Sequence, residues 1–284
     1  MKLMIIGITG MLGNTLFRYF SRTPDIQTFG TVRDERGKSY FDPAHRDAIL
    51  SGVDANRFDT VTSAFSKIKP DYVINAAGLI KQLQTSKDPL SALPMNALFP
   101  HRLAQLCVVA GARLVHISTD CVFTGTIGNY SETDPPDAID IYGRSKLLGE
   151  VDYPHAITLR TSIIGHEMGS TNGLIAWFLS QNIQAQGFTR AVFTGLPTVE
   201  LARIIEGYLI PRPDLHGLYH VASAPISKYD LLRLTATVYG KDIKIIPDDT
   251  VVIDRSLNAD RFNRATGYQP PPWPKLVHAM KLFG

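Results

Sequence analysis

The chain opens MKLMIIGITGMLG, placing three glycines at the spacing GxxGxxG directly after a short apolar run and directly before an apolar-periodic stretch, Met11 to Phe20. The run reads as a strand, Lys2 to Ile8, and the periodicity after it as a helix. Gly7, Gly10 and Gly13 carry no Cβ, so the backbone there can turn tightly and approach another group closely. A helix beginning at such a turn offers the amides of its first residues, Met11 and Leu12 among them, and the positive end of its dipole. A pyrophosphate fits that arrangement, and its place one strand into the chain predicts a dinucleotide-binding α/β fold. Taken alone, the glycines could simply mark a turn.

The following segments extend the α/β pattern. A second strand is expected over Ile26 to Val32. NAD-preferring folds of this kind carry an acidic residue about 20 positions past the glycines, whereas a nearby Arg accommodates a 2′-phosphate. Gly30 or Thr31 fills the acidic place here and Arg33 follows, which favours NADP; Asp34 and Glu35 keep NAD as the alternative. Asp54 is expected either to cap a helix beginning near Asn56 or to face an adenine. Asp71 to Gly78, DYVINAAG, reads as a strand whose small final residues, Ala76, Ala77 and Gly78, leave room for a cofactor or make a tight turn. Lys81 and Gln82 lie just beyond that strand's carboxyl end, where open α/β sheets bind ligands. Pro94 to Ala110 is expected to be one helix, with Leu98, Leu103, Leu106 and Val109 facing the core.

The chemistry concentrates between Val115 and Lys146. An apolar strand, Leu114 to Ile117, ends in the hydroxyls Ser118 and Thr119, and after a loop a helix opens at Tyr142. Tyr142 and Lys146 are four apart and leave one helix face a turn from each other. A free phenol, with a pKa of about 10, moves its proton poorly at neutral pH; an ammonium within roughly 4 to 6 Å eases that transfer. Thr119, at the strand end, can hydrogen-bond the same oxygen as Tyr142 and hold a carbonyl or alcohol against it. Tyr142 alone could be a boundary aromatic; the order of glycine turn, Ser-Thr strand end and YxxxK helix favours a catalytic trio.

Composition narrows the rest. The 284 residues are 44% hydrophobic and 19% charged with net charge +3, the profile of an ordinary globular protein without the clustered basic charge that binds nucleic acid. Two cysteines, Cys107 and Cys121, make no disulfide framework and suit a reducing cytoplasm. No apolar stretch reaches about 18 residues and no signal-peptide pattern is evident, so a membrane role is not expected. The eight histidines are scattered without HExxH or Cys-His ligand spacing, so no metal site is expected, and GxSxG is absent.

Beyond Gly165 the chain changes character. The expected order is an amphipathic helix carrying Leu174, Trp177 and Phe178, then a polar loop from Gln184 to Thr194 that could cover a bound nucleotide. A strand over Gly217 to Ala222 that rejoins the main sheet follows, then a helix over Ile226 to Tyr239, a strand over Ile243 to Ile246 and a last helix over Leu276 to Leu282. Arg190 and Arg255 are candidates for a diphosphate, which a guanidinium pairs bidentately, or are solvated surface charges. The resulting division is a Rossmann-type domain over 1–165 and a smaller, interleaved substrate region over 166–284.

In combination, GITGMLG, VINAAG, HISTDCVF and YGRSK resemble the extended short-chain dehydrogenase/reductase superfamily, and within it the dTDP-4-dehydrorhamnose reductases and related nucleotide-sugar reductases. LRTSIIG, TGLPT, GLYHVAS and SLNADRF carry the likeness through the second half. The resemblance implies that Thr119, Tyr142 and Lys146 are catalytic, with Tyr142 the proton donor and Lys146 also holding the nicotinamide ribose. It assigns Gly7, Gly10 and Gly13 to the pyrophosphate, Asp54 to the adenine, Ala76 and Ala77 to the cofactor's spine and Ser162 to the nicotinamide end. Two departures stand out: Cys121 occupies a place commonly held by Tyr, and IKQLQ replaces an acidic pattern. Related 4,6-dehydratases are expected to present Asp-Glu after the Thr; Asp120 is present and the Glu is not, which favours plain hydride transfer over elimination. Ser118 and Cys121, with Lys81 and Gln82, are the substrate-side candidates, although Cys121 could equally be a small buried hydrophobe. The expectation is an NADPH-dependent ketoreductase acting on a nucleotide-diphosphate sugar, with a homodimer as one expected assembly. An NAD-dependent epimerase and a non-catalytic regulatory subunit are the alternatives.

Overall fold

The strand β1 (Lys2–Ile6) is an inner strand of the main sheet, with Leu3, Met4 and Ile5 fully buried. It pairs in parallel with β2 (Gln27–Thr31) on one side and β4 (Tyr72–Asn75) on the other. Beyond β2 lies β3 (Ile49–Leu50), and beyond β4 lies β5 (Arg113–Thr119), both parallel to their neighbours. β6 (Ala156–Thr161) follows β5, and Gly217–His220 forms the edge, completing seven strands. The chain moves outward from β1 to β3, then returns to β4 on the other flank. That reversal makes a switch point whose strand ends, at the carboxyl side, are the natural ligand crevice of such a sheet. The architecture is a doubly wound α/β fold.

The computed structural model describes all 284 residues. They form two compact units, one of Met1–Ser118, Ile139–Leu159 and Leu209–Leu218, the other of Thr119–Ala138, Arg160–Tyr208 and Tyr219–Gly284. In the first, α1 (Met11–Phe20) buries Leu12, Leu16, Phe17 and Phe20, the spacing that the sequence pattern requires. α2 (Phe58–Ile68) buries Val61, Ala64, Phe65 and Ile68 into a core shared with Met4, Ile6, Val73 and Leu114.

Several elements depart from the sequence pattern. β1 stops at Ile6 because Gly7 turns the chain away at φ +85°. Asp54 does not cap α2: Arg57 holds that position without a side-chain cap, and Asp54 Oδ1 accepts from Asn56 N at 2.9 Å in the turn before. The helix expected over Pro94 to Ala110 is two pieces, a π-helical segment (Leu93–Leu98) and α4 (Phe99–Ala110), and the helical run starts earlier, at α3 (Pro89–Ala92). Pro100 has no N–H to give the preceding turn, and the ladder widens so that Phe99 N reaches Pro94 O. The widened turn resets the helical phase. Phe99, Leu103, Ala104 and Cys107 therefore face the core, while Leu98 is 46% and Val109 86% exposed, contrary to the simple periodicity.

In the second unit Gln184 to Thr194 is not a loop. Gln184–Phe188 pairs in parallel with Lys244–Asp248, and Ala191–Phe193 pairs with Ile226–Ser227 and Ile253–Asp254. Ala185 and Gly187 face inward and the glutamines outward, a period of two disguised by low hydrophobicity. Helices Leu174–Ser180, Thr198–Ile204, Lys228–Tyr239, Asp260–Thr266 and Trp273–Phe283 complete this unit. The last begins earlier than expected because a proline is tolerated in a first turn. No helix is long and apolar enough to cross a membrane.

Candidate active site

The glycine turn is built by contact. A Cβ at Gly13 would overlap the carbonyl oxygen of Gly7 and sit 2.9 Å from Ile8 Cα, so α1 starts hard against the turn. A Cβ at Gly7 would lie 3.0 Å from both Cα and Cβ of Ala77, so the end of β4 needs its small residues too. Gly10 is the N-cap of α1 and no side chain caps the helix. The first-turn amides, Met11 and Leu12 included, thus meet a cradle of backbone with the positive helix end behind it, and these residues fit a pyrophosphate.

After β2, Arg33 is exposed. The acids beside it are engaged locally. Asp34 Oδ1 accepts from Gly37 N at 3.0 Å, capping the short 3₁₀ helix Glu35–Tyr40. Glu35 takes Lys38 at 3.2 Å and a hydrogen bond from Ser51. Each acid thus has a partner within the same stretch, while the Arg33 guanidinium is an exposed cation at this strand end, of the kind that accommodates a 2′-phosphate.

The helix α5 (Ile141–Leu148) carries Tyr142 and Lys146. Its N-cap is Asp140, whose Oδ1 accepts from Gly143 N at 2.7 Å and whose Oδ2 takes the Lys81 ammonium at 2.8 Å. Lys81 is therefore tied to the start of α5, while Gln82 is exposed on the same turn. Tyr142 is half-buried. One turn on, Lys146 is only 7% exposed and its Nζ donates to Ile117 O at 2.7 Å, joining the helix to the carboxyl end of β5. Burial lowers its pKa to about 8, and Glu150 pulls the other way. Ser118 turns to Glu150, its Oγ donating to Oε1 at 2.6 Å.

Behind this pair lies a buried polar layer that sequence reasoning missed. Asn96, in the π-helical segment, accepts from Leu79 N at 2.8 Å and donates from Nδ2 to Leu79 O and Ser145 Oγ, both at 3.3 Å. It links the turn after β4 to α5. Asn75 Oδ1 accepts from Ala77 N, so its Nδ2 donates to His116 Nδ1 at 3.1 Å and leaves the His116 proton on Nε2. Burial first, and the Lys146 charge second, hold His116 well below the ordinary histidine range. An asparagine within an apolar helical run was the available signal, since a buried amide must find partners.

Thr119 opens the second unit. Its Oγ1 accepts from Cys121 N at 3.2 Å and donates to Asp120 Oδ1 at 3.3 Å, starting the 3₁₀ turn Asp120–Val122. Burial raises the Asp120 pKa, partly offset by Arg255. Arg255 Nε donates to Phe123 O at 2.7 Å, so its guanidinium is fixed beside this turn, and Cys121 is half-buried. Ser162 is half-buried, its carbonyl accepting from Leu196 N. Arg190 sits in the turn between two strands, exposed, with its carbonyl accepting from Ile253 N.

The first unit thus gathers the glycine turn, Ala76, Ala77, Gly78, Ser118, Tyr142 and Lys146 around the carboxyl ends of β1, β4 and β5. Known proteins share this sequence and fold. A family described as "RmlD substrate binding domain" matches residues 1–252. A probable low-salt glycan biosynthesis reductase of Haloferax volcanii is 30% identical over 268 residues, 90% of this chain and 84% of that protein. A dTDP-4-dehydrorhamnose reductase of Aggregatibacter actinomycetemcomitans is 26% identical over 82% of this chain and 88% of its own. Among solved structures, a dTDP-4-dehydrorhamnose reductase of Bacillus anthracis in complex with NADP superimposes with TM-score 0.79 at 21% identity, covering 99% of this chain and 98% of that one. With the family matched over most of its length, this chain belongs to the RmlD substrate-binding-domain family of extended short-chain dehydrogenase/reductases.

Proposed function

We propose that this protein is an NADPH-dependent reductase of a keto group on a nucleotide-activated deoxysugar, acting in the synthesis of glycan precursors. The observation that carries the reading is the buried Lys146, one turn from Tyr142 on α5 and anchored to the carboxyl end of β5. A buried ammonium is costly, and its retention beside a phenol is the arrangement that proton transfer requires. The reductase names of the Haloferax and Aggregatibacter relatives support the activity and the sugar-nucleotide class.

When bound, NADPH would supply the hydride for the carbonyl carbon. Gly7, Gly10 and Gly13 with the start of α1 would hold its pyrophosphate, Arg33 its 2′-phosphate, and Ala76, Ala77 and Gly78 would leave room along its length. Tyr142 gives its phenolic proton to the carbonyl oxygen as the C–H bond forms, so the ketone becomes an alcohol. Lys146 eases the loss of that proton and would hold the nicotinamide ribose. For the second unit the expected roles are Thr119 on the substrate oxygen, Ser162 on the nicotinamide and Arg255 with Cys121 on the sugar nucleotide. The engaged Lys81 and the exposed Arg190 have the weaker claims to substrate.

We further propose a homodimer, since Leu90, Leu93, Leu98, Val108, Val109 and Leu148 expose apolar surface on α3, the π-helical segment, α4 and α5. Two free thiols fit a cytoplasmic setting. The test is oxidation of NADPH, followed at 340 nm, against dTDP-, UDP- and GDP-linked keto-sugars. Turnover with one of them, reduced by orders of magnitude in Tyr142→Phe while NADPH affinity holds, supports the reading. An unaltered rate in that variant refutes the role of Tyr142. Protein that arrives with bound NAD and consumes none would instead support an epimerase.

A further inference from the structure

Glu150 lies outside the YxxxK motif, and three features of the first unit converge on it. It is four residues beyond Lys146 and eight beyond Tyr142, so the three side chains follow one side of α5 and its exit. Its Oε1 takes the Ser118 hydroxyl at 2.6 Å, and Ser118 follows Ile117, whose carbonyl takes the Lys146 ammonium at 2.7 Å. The chain reaches this place through Gly149, where a Cβ would overlap the carbonyl oxygen of Asn96. Only glycine lets the backbone press onto the π-helical segment and carry the next residue back to β5. Lys146 and Glu150 thus flank the last two residues of this unit's β5, one on a carbonyl and one on a hydroxyl.

We propose that Glu150 is a positioning residue of the catalytic centre, its carboxylate serving both as counter-charge to the Lys146 ammonium and as the clamp that holds Ser118. The proposal rests on the reductase reading of the same site. The titratable groups facing Lys146 are few. Tyr142 and Glu150 come from its own helix and exit, and His116 from β5. His116 is buried and neutral, with His101 of α4 and Lys146 both opposing its protonation. The Lys81–Asp140 pair is compensated within itself at the other end of α5. Glu150 is accordingly the negative charge that opposes the burial of Lys146, which by itself drives the amine toward its neutral form.

The test is Glu150→Gln, which keeps the acceptor for Ser118 and removes the charge. In protein labelled with ¹³C-lysine, the Lys146 Cε resonance, assigned by its loss in Lys146→Arg, reports the titration without any substrate. Wild type is expected to titrate at about 8 and Glu150→Gln roughly one pH unit lower, with the alkaline limb of kcat for NADPH oxidation moving equally. Glu150→Asp restores both toward wild type. An unchanged Lys146 titration in folded Glu150→Gln overturns the counter-charge role. Ser118→Ala tests the clamp separately: kcat falls at every pH while the Lys146 titration stays, and an unaltered kcat overturns it. If wild type turns over no keto-sugar, the reductase reading fails, and the titration alone decides the counter-charge.

Discussion

Replacing Lys146 by methionine should abolish turnover and, independently, change how stability depends on pH. The amine's ordinary pKa of 10.5 falls to about 8 in the folded chain, chiefly through burial. At 1.36 kcal/mol per unit, that difference corresponds to about 3 kcal/mol of destabilisation carried by the folded state when the amine is charged. Below about 8 the amine is protonated in both folded and unfolded chains, so the full penalty is present. Between about 8 and 10.5 the unfolded chain binds more protons than the folded one, so stability rises with pH. Above that window both forms are neutral and the penalty has gone. Methionine carries no such penalty, but it leaves the Ile117 carbonyl without its donor, a pH-independent cost of about 1–3 kcal/mol. Wild type should therefore gain on Lys146→Met by about 2 kcal/mol between pH 7 and pH 10. Urea unfolding of both proteins, followed by Trp177 and Trp273 fluorescence across that range, measures the difference. A flat difference, or one that moves in favour of methionine as pH rises, would refute the reasoning.

Two substitutions test the cofactor cradle. Gly13→Ala sets a methyl group against the backbone of Gly7 and Ile8, which cannot rotate away as a side chain would. NADPH affinity, followed by fluorescence titration, should fall by about tenfold or more, with the fold intact by circular dichroism. Arg33→Ala should weaken NADPH while leaving NADH affinity nearly unaltered, because only NADPH carries the 2′-phosphate. Equal losses for both cofactors would show that Arg33 acts on something they share.

The motifs of the candidate site were legible because each is local. Strand, glycine turn and helix follow one another within twenty residues, and YxxxK needs only a single helical turn. Residues that serve through distant partners left weaker marks. Asn96 meets Leu79 and Ser145, and Glu150 meets Ser118, across sequence separations that no short pattern spans. Lys81 looked like a ligand group because it follows a strand end, yet Asp140 takes its charge. Gln184 to Phe188 looked like a loop because a strand built on alanine and glycine carries little apolar contrast. The helix over Pro94 to Ala110 misled for another reason: Pro100 alters the hydrogen-bond ladder and hence the phase of every residue after it.

By itself, the sequence determined the α/β winding, the placement of a glycine turn at the first strand's end and the pairing of Tyr142 with Lys146. These follow from periodicities of two and 3.6 and from the absence of Cβ at glycine, properties that act over a few residues. Only the tertiary structure decided the charge environment of Lys146, the tautomer of His116 and the engagement of Ser118 and Lys81. Those depend on burial and on which polar groups are brought within about 3 Å, and both arise from packing segments far apart in the chain.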